Sequence, residues 1–256
     1  MASTVRESDL RGVLDVLAAA VDSPVPRSGM PEAVLEQLAA LVRCDMLCFS
    51  EFDPAARRSY VDHEWTDEGL TEDPAAAEDS DIFFKYYWES LSCSYPTRTG
   101  DERSVTMQSD FYSTREWHNT PMYADYFLAP GFPFDHEMMV CLPAPGTRTR
   151  RLLFFRLPGR DFDERDRLTL ALLRPHLAEV HHELERSRSA EPQLTARQRQ
   201  LLGLVAAGHT NAQIASALFV SVHTVRTHLE NIFERLQVSS RAAAVARAFP
   251  NGLTGD

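Results

Sequence analysis

The stretch SVHTVRTHLENIFERL, residues 221 to 236, sets Val225, Leu229, Ile232 and Leu236 at steps of four, three and four. That spacing lines one face of a helix with apolar groups and leaves His223, Arg226, Thr227, Glu230 and Glu234 on the other side. Such a helix on its own is ordinarily a surface helix, so its neighbours decide its meaning. Upstream, Thr195 is followed three residues on by Gln198, and Thr210 by Gln213, two capping boxes that satisfy orphan backbone donors. Gly208 stops the first helix, Ser221 caps the third, and Ser239 or Ser240 starts a fourth over SRAAAVARA. The second helix shows Ile214, Ala215 and Leu218 on its apolar face, and only the residues around Phe219 to Ser221 separate it from the third. Ala215 is small enough for the two helices to cross closely. The pattern predicts a helix-turn-helix, whose second helix enters the major groove of double-stranded DNA while the first crosses the backbone.

Charge marks the same boundary. Residues 194–256 hold six arginines against Glu230, Glu234 and Asp256, a net of +3, which leaves −14 of the chain's −11 on residues 1–193. The stretch SRSAEPQ, residues 187–193, reads as a linker, so two domains are expected, 1–186 and 194–256. Lys85 is the only lysine and lies within IFFKYYWES, which excludes a GxxxxGK[ST] phosphate loop. No run of about 18 apolar residues could cross a membrane, and the start MASTVRESDLRG lacks the basic and apolar regions of a leader. A cytoplasmic protein with no membrane partner is expected. Cys44, Cys48, Cys93 and Cys141 are too few for a disulfide framework and carry no zinc-ligand spacing.

Residues 1–186 read as α+β. RGVLDVLAAAVD and MPEAVLEQLAALVRC have amphipathic helical periodicity, DMLCFSEFDPAARRSYVDHEW two strands around a turn at Asp53 to Arg57, and FDHEMMVCLPAPGTRTRRLLFFRLP a second hairpin. Asp163 then caps a long helix in which Leu173, Leu177, Val180 and Leu184 form a heptad-like stripe. That stripe suits either a partner helix in a dimer or the protein's own sheet. Pro175 is expected to kink this helix or to mark its start. Between the hairpins lies a ring-rich stretch that includes Phe83, Phe84, Tyr86 and Tyr126. Trp65, Tyr87, Trp88, Phe111, Trp117 and Tyr123 are the candidate walls of a pocket for a small organic ligand, or else simply core packing. Neither a metal site nor a cofactor is expected. His63, His118 and His136 show no paired ligand spacing, and His176, His181 and His182 lie among glutamates without an HExxH pattern. The absence of GxSxG further argues against an enzyme.

Residues 194–247 resemble the LuxR/NarL-type (GerE) helix-turn-helix, whose pattern opens LTxRE, continues through Gly and NxxIAxxL, and then reads SxxTVxxHxxxIxxKL and SR. Gln198 and Gln213 stand where acidic residues are usual, Arg226 where lysine is common, and Arg235 in place of the lysine of the KL pair. The resemblance implies a sequence-specific transcription regulator that binds DNA as a homodimer and has RNA polymerase as a further partner. It implies base reading by Arg226, Thr227, Glu230 and Asn231, with Arg226 able to fork onto guanine and Glu230 able to accept from cytosine. It implies backbone contacts from Thr195, Asn211, Ser221, Thr224, His228 and Arg235. Pairing would involve the last helix, through Ala242, Val245 and Ala246.

The order of elements in residues 1–186 resembles a GAF-like sensory domain, an antiparallel sheet flanked by helices. A phosphorelay receiver does not fit, because Lys85 sits among aromatic residues and no early strand runs into paired acids. Trp65 and Asp73–Pro74 are similar to residues of the acyl-homoserine-lactone type, but Gly69 and Glu78 occupy the positions of its tyrosine and aspartate. The alternative to a ligand sensor is a protein-interaction or dimerisation module that admits no small molecule.

Overall fold

A computed structural model of the chain describes residues 5–72, 76–128, 133–190, 194–236 and 238–249. Asp73, Pro74 and residues 191–193 of the expected linker lie outside them. The chain divides into two compact units, Met1–Arg186 and Ser187–Asp256.

In the first unit, helices α1 (Glu7–Asp22) and α2 (Glu32–Val42) precede the hairpin β1 (Met46–Asp53) and β2 (Arg58–Thr66). The turn forms where expected: Asp53 Oδ1 accepts from the amides of Ala55 and Ala56, both at 2.9 Å, and Arg57 takes a left-handed φ of 51°. A short strand β3 (Gly69–Glu72), helices α3 (Ala76–Tyr86) and α4 (Leu91–Thr99), strand β4 (Thr106–Met107) and helix α5 (Thr114–His118) follow. The second hairpin is β5 (His136–Leu142) and β6 (Thr149–Arg156), and helix α6 (Glu164–Ala190) closes the unit. The six strands form one antiparallel sheet in the order β3-β2-β1-β6-β5-β4. The two hairpins therefore meet along β1 and β6, with Met46 opposite Phe155 and Phe52 opposite Thr149.

Side chains alternate across the pleat, and each face buries its own core. Leu47, Phe49, Met138, Val140, Leu152 and Phe154 pack with Val34, Leu35 and Leu38 of α2 and with Leu170, Leu173 and Leu177 of α6. Met46, Cys48, Phe52 and Phe155 point the other way, into a cluster with Phe84, Tyr87, Trp117, Met122, Tyr123 and Phe127. The stripe on α6 is thus spent on its own sheet, Leu173 and Leu177 being fully buried there, so it is not free to pair with a second helix. Pro175 does not start the helix. Asp163 Oδ1 accepts from the amides of Arg165 and Asp166, each at 3.0 Å, and caps the helix twelve residues earlier in the chain. The helix runs on through Ala190, into the stretch expected as a linker, because SRSA offers nothing to end a helix before Pro192.

In the second unit, α7 (Ala196–Ala206), α8 (Asn211–Leu218), α9 (Val222–Leu236) and α10 (Arg241–Ala248) follow the expected punctuation. Thr195 Oγ1 accepts from the Gln198 amide at 3.2 Å, Thr210 Oγ1 from Gln213 at 3.3 Å, Ser221 Oγ from Thr224 at 3.0 Å, and Ser240 Oγ from Ala243 at 3.1 Å. Leu201, Leu202, Ile214, Leu218, Val225, Leu229, Ile232, Leu236 and Ala244 make the core. The tight turn from α8 to α9 passes through Phe219, a left-handed residue with φ of 55° whose ring is 95% exposed.

Candidate nucleic-acid interface and aromatic face

With Val225, Leu229, Ile232 and Leu236 buried, α9 presents its opposite side to solvent. Arg226, Thr227, Glu230 and Asn231 are all exposed there. Arg226 and Glu230 share one row with Val222, at steps of four, while Thr227 and Asn231 share the adjacent row with His223. Thr227 Oγ1 donates to the His223 carbonyl at 3.2 Å. Among the described residues, the side chains of Arg226, Glu230 and Asn231 have no hydrogen bond or ion pair, so the donors and acceptors of this face are uncommitted.

The expected backbone contacts divide. Thr195 and Ser221 are caps, and Ser221 Oγ also lies 2.8 Å from Thr224 Oγ1. Thr224 and His228 are half-buried on the flank of α9. Asn211 Oδ1 accepts from Arg241 Nη1 at 2.6 Å, and Arg235 Nη1 donates to Gln198 Oε1 at 3.2 Å. Two positioning arginines escaped the sequence reading. Arg241 ties α10 to the start of α8, and Arg197 Nη2 donates to the Leu218 carbonyl at 2.6 Å, fastening α7 to the end of α8. Neither has a signal beyond its arginine, since each acts across more than twenty residues. Val222, at the head of the Arg226 row, is exposed beside it. On α10, Ala242 and Ala246 are exposed one turn apart, whereas Val245 leans on the unit's own core and Ala244 is fully buried.

The six rings expected to wall a pocket do not share one. Tyr87, Trp117 and Tyr123 belong to the cluster on one face of the sheet, with Trp117 and Tyr123 centred 5.7 Å apart. Trp88 is 47% exposed and meets Tyr87 edge-on at 5.1 Å, and Phe111 pairs instead with Tyr95 at 5.2 Å. Trp65 sits opposite Leu47 on β1 and packs with it on the other face. The two-residue period of a strand decides this: Trp65 shares parity with Val61, not with Asp62 and Glu64, which point toward the rings' side.

That side also carries polar groups the sequence reading overlooked. Arg151 of β6 is 1% exposed, and Ser50 of β1 and Glu137 of β5 are buried with it. Burial pushes the Glu137 carboxyl up to about 7, against the smaller opposing pull of Arg151. Burial likewise holds the Cys93 thiol up at about 11 and that of Cys44 at about 12, so neither is a ready nucleophile.

Residues 192–248 match the family model described as bacterial regulatory proteins, luxR family. A probable transcriptional regulatory protein NarL of Mycobacterium tuberculosis is 44% identical over 64 residues, which cover 25% of this chain and 30% of that protein. The chain spans about a third of the length of the curated relatives it matches. Among solved structures, Escherichia coli SdiA aligns over 96% of this chain and 99% of its own at 17% identity with a TM-score of 0.41. The GAF domain of a phosphoenolpyruvate-protein phosphotransferase from Coxiella burnetii aligns over 71% of this chain and 96% of its own, at 11% identity and a TM-score of 0.44.

Proposed function

Since residues 192–248 form a luxR-family helix-turn-helix, a domain of regulatory proteins rather than of enzymes, we propose that the whole chain is a sequence-specific, DNA-binding transcriptional regulator of the cytoplasm. The observation that carries this reading is the polar face of α9, where Arg226, Glu230 and Asn231 are uncommitted and Thr227 is exposed beside them, opposite a buried stripe. In the major groove these four read base edges, while Thr195, Ser221, Thr224, His228, Asn211 and Arg235 lie along the phosphates. The protein acts as a homodimer, with Ala242 and Ala246 of α10 in the pairing surface and Val245 beside them, and it works with RNA polymerase. The first unit is its sensory domain, which modulates DNA binding when a small organic ligand occupies the aromatic face of the sheet.

Selection of duplexes from a random pool by the full chain tests the core of this reading. A single enriched motif with two-fold symmetry is expected, and Arg226→Ala should lose preference at one base pair of each half-site. No enriched motif would sink the regulator reading. A motif without symmetry would remove the dimer.

A second reading has one observation in its favour. Tyr87 and Trp117 are almost completely buried and meet their neighbours edge-on or tilted, as in a filled core. On that reading the first unit is a protein-interaction or dimerisation module. Isolation of the protein with a stoichiometric partner protein and no bound small molecule would favour it.

A further inference from the structure

The aromatic face of the sheet buries a cation, Arg151, that forms no ion pair among the described residues. The Arg151 guanidinium donates through Nη2 to the Tyr87 hydroxyl at 2.7 Å and through Nε to Thr149 Oγ1 at 3.1 Å. It lies 4.8 Å from the centre of the Phe52 ring and 5.4 Å from that of Tyr87. All of these partners are neutral. Among the described residues no carboxylate forms an ion pair with Arg151, whereas its chain neighbour Arg150, on the opposite face, meets Glu51 at 2.6 Å. Glu137 shares the face with Arg151 but does not pair with it, and its carboxyl is held up at about 7.

Directly across from Arg151 in the sheet register stands Ser50, 7% exposed, whose hydroxyl has no hydrogen-bond partner. An uncompensated buried charge and an unsatisfied buried hydroxyl are each costly, and here they are adjacent on one face. A guanidinium has five donor hydrogens, and two bonds to hydroxyls leave three, including the pair that can fork onto an oxyanion. Ser50 can donate one more bond to the same group. Phe52 and Tyr87, whose rings lie beside the guanidinium, continue through Phe83 and Phe84 as one cluster of rings in mutual contact.

We infer that the aromatic face binds a small organic carboxylate, its charge held by Arg151, its second oxygen by Ser50, and its aromatic or alkyl body by the surrounding rings. This deepens the reading of the first unit as a sensory domain and rests on it. The ligand supplies the negative charge that the fold withholds, so occupancy and the packing of α3 and α4 over the sheet are coupled. A neutral ligand of the same shape leaves Arg151 as it was.

The test is thermal unfolding of the full chain with phenylacetate and hexanoate, each beside its neutral amide, phenylacetamide or hexanamide. At least one carboxylate is expected to raise the Tm by several degrees while its amide does not. Arg151→Met is expected to abolish that rise and, having lost an uncompensated buried charge, to melt no lower than the unsubstituted protein. Ser50→Ala should keep the Tm and weaken carboxylate affinity several-fold in calorimetry. Equal rises with carboxylate and amide, or a rise that survives Arg151→Met, would overturn the anion assignment and leave the sensory reading standing. No rise with any of the four probes overturns the carboxylate assignment and leaves the sensory reading standing. Should Arg151→Met fail to fold, Ser50→Ala decides: unchanged carboxylate affinity overturns the proposal.

Discussion

Arg241, the first residue of α10, holds Asn211, the first residue of α8: its Nη1 donates to Asn211 Oδ1 at 2.6 Å and its Nη2 to the His209 carbonyl at 2.9 Å. The pair spans thirty positions and fixes the entry of α8, the helix that the proposed function lays across the DNA backbone. Hydrogen bonds from a charged donor contribute about 1.5 to 3 kcal/mol each when their partner stays buried. Arg241→Ala should therefore speed amide exchange in α8 by roughly 10- to 100-fold, with exchange in the sheet of the first unit unchanged. Uniform exchange rates in α8 would show the clamp to be incidental.

On the face of the sheet covered by α2 and α6, Glu51 holds two arginines. Its Oε2 accepts from Arg150 Nε at 2.9 Å and Nη2 at 2.6 Å, and its Oε1 from Arg148 Nη1 at 2.9 Å. Glu51 and Arg150 are both almost fully buried, so Glu51→Ala leaves the Arg150 guanidinium only the longer ion pair, to Glu185 at 3.9 Å, and should cost up to about 3 to 5 kcal/mol in urea unfolding. Arg148 is far more exposed, and Arg148→Ala should cost much less than Glu51→Ala. Equal losses for the two would contradict the burial argument.

Two carboxyls give the acid and neutral limbs of stability opposite signs. Asp9, hydrogen-bonded by Arg165 through Nε at 2.7 Å, is lowered from 3.8 to about 2, chiefly by that bond. Its contribution, about 2 kcal/mol, is complete above about pH 4 and is lost as pH falls toward 2; Asp9→Asn should remove it. Glu137 is raised from 4.5 to about 7 by burial, so the folded state favours its neutral form. Stability is lost as pH rises from about 4.5 to 7, and above that range Glu137→Gln should be more stable by about 3 kcal/mol. Denaturant midpoints from pH 3 to 8 measure both. A Glu137→Gln gain that persists undiminished at pH 4 would rule out titration as its cause.

Legibility in the sequence followed the range of the interactions. The helix-turn-helix could be read because its signals are local: Thr195, Thr210 and Ser221 each cap within three residues, and the α9 stripe closes within four. Both hairpins were legible from their own alternation and turns. That β1 and β6 lie side by side was not, since Leu47 and Phe154 meet across more than a hundred residues and no local period encodes it. The same limit produced the error at Trp65, whose ring character suggested a pocket while its strand parity sent it to the opposite face. It also hid Arg151, which in RRLLFF looks like an exposed arginine until its neighbours on β1 and α3 are known. The stripe on α6 was ambiguous for a related reason, because a sheet and a partner helix demand the same spacing.

On α9, the exposed row of Arg226 and Glu230 makes separable predictions about DNA. Arg226→Ala should cost about 1 to 3 kcal/mol on the selected operator and relax preference at one base pair, because a forked base contact is lost. Glu230→Gln removes a charge that opposes phosphate, so affinity for scrambled duplex should rise while discrimination falls. Arg235, whose Nη1 donates to Gln198 Oε1, is on the proposed reading a backbone charge. Arg235→Ala should weaken all duplexes alike and reduce the salt slope by about one per subunit. Affinities for operator and scrambled duplex at several salt concentrations distinguish the three. If Arg226→Ala weakens both duplexes equally and leaves base preference intact, Arg226 is a phosphate contact and the sequence is read by other residues of the helix.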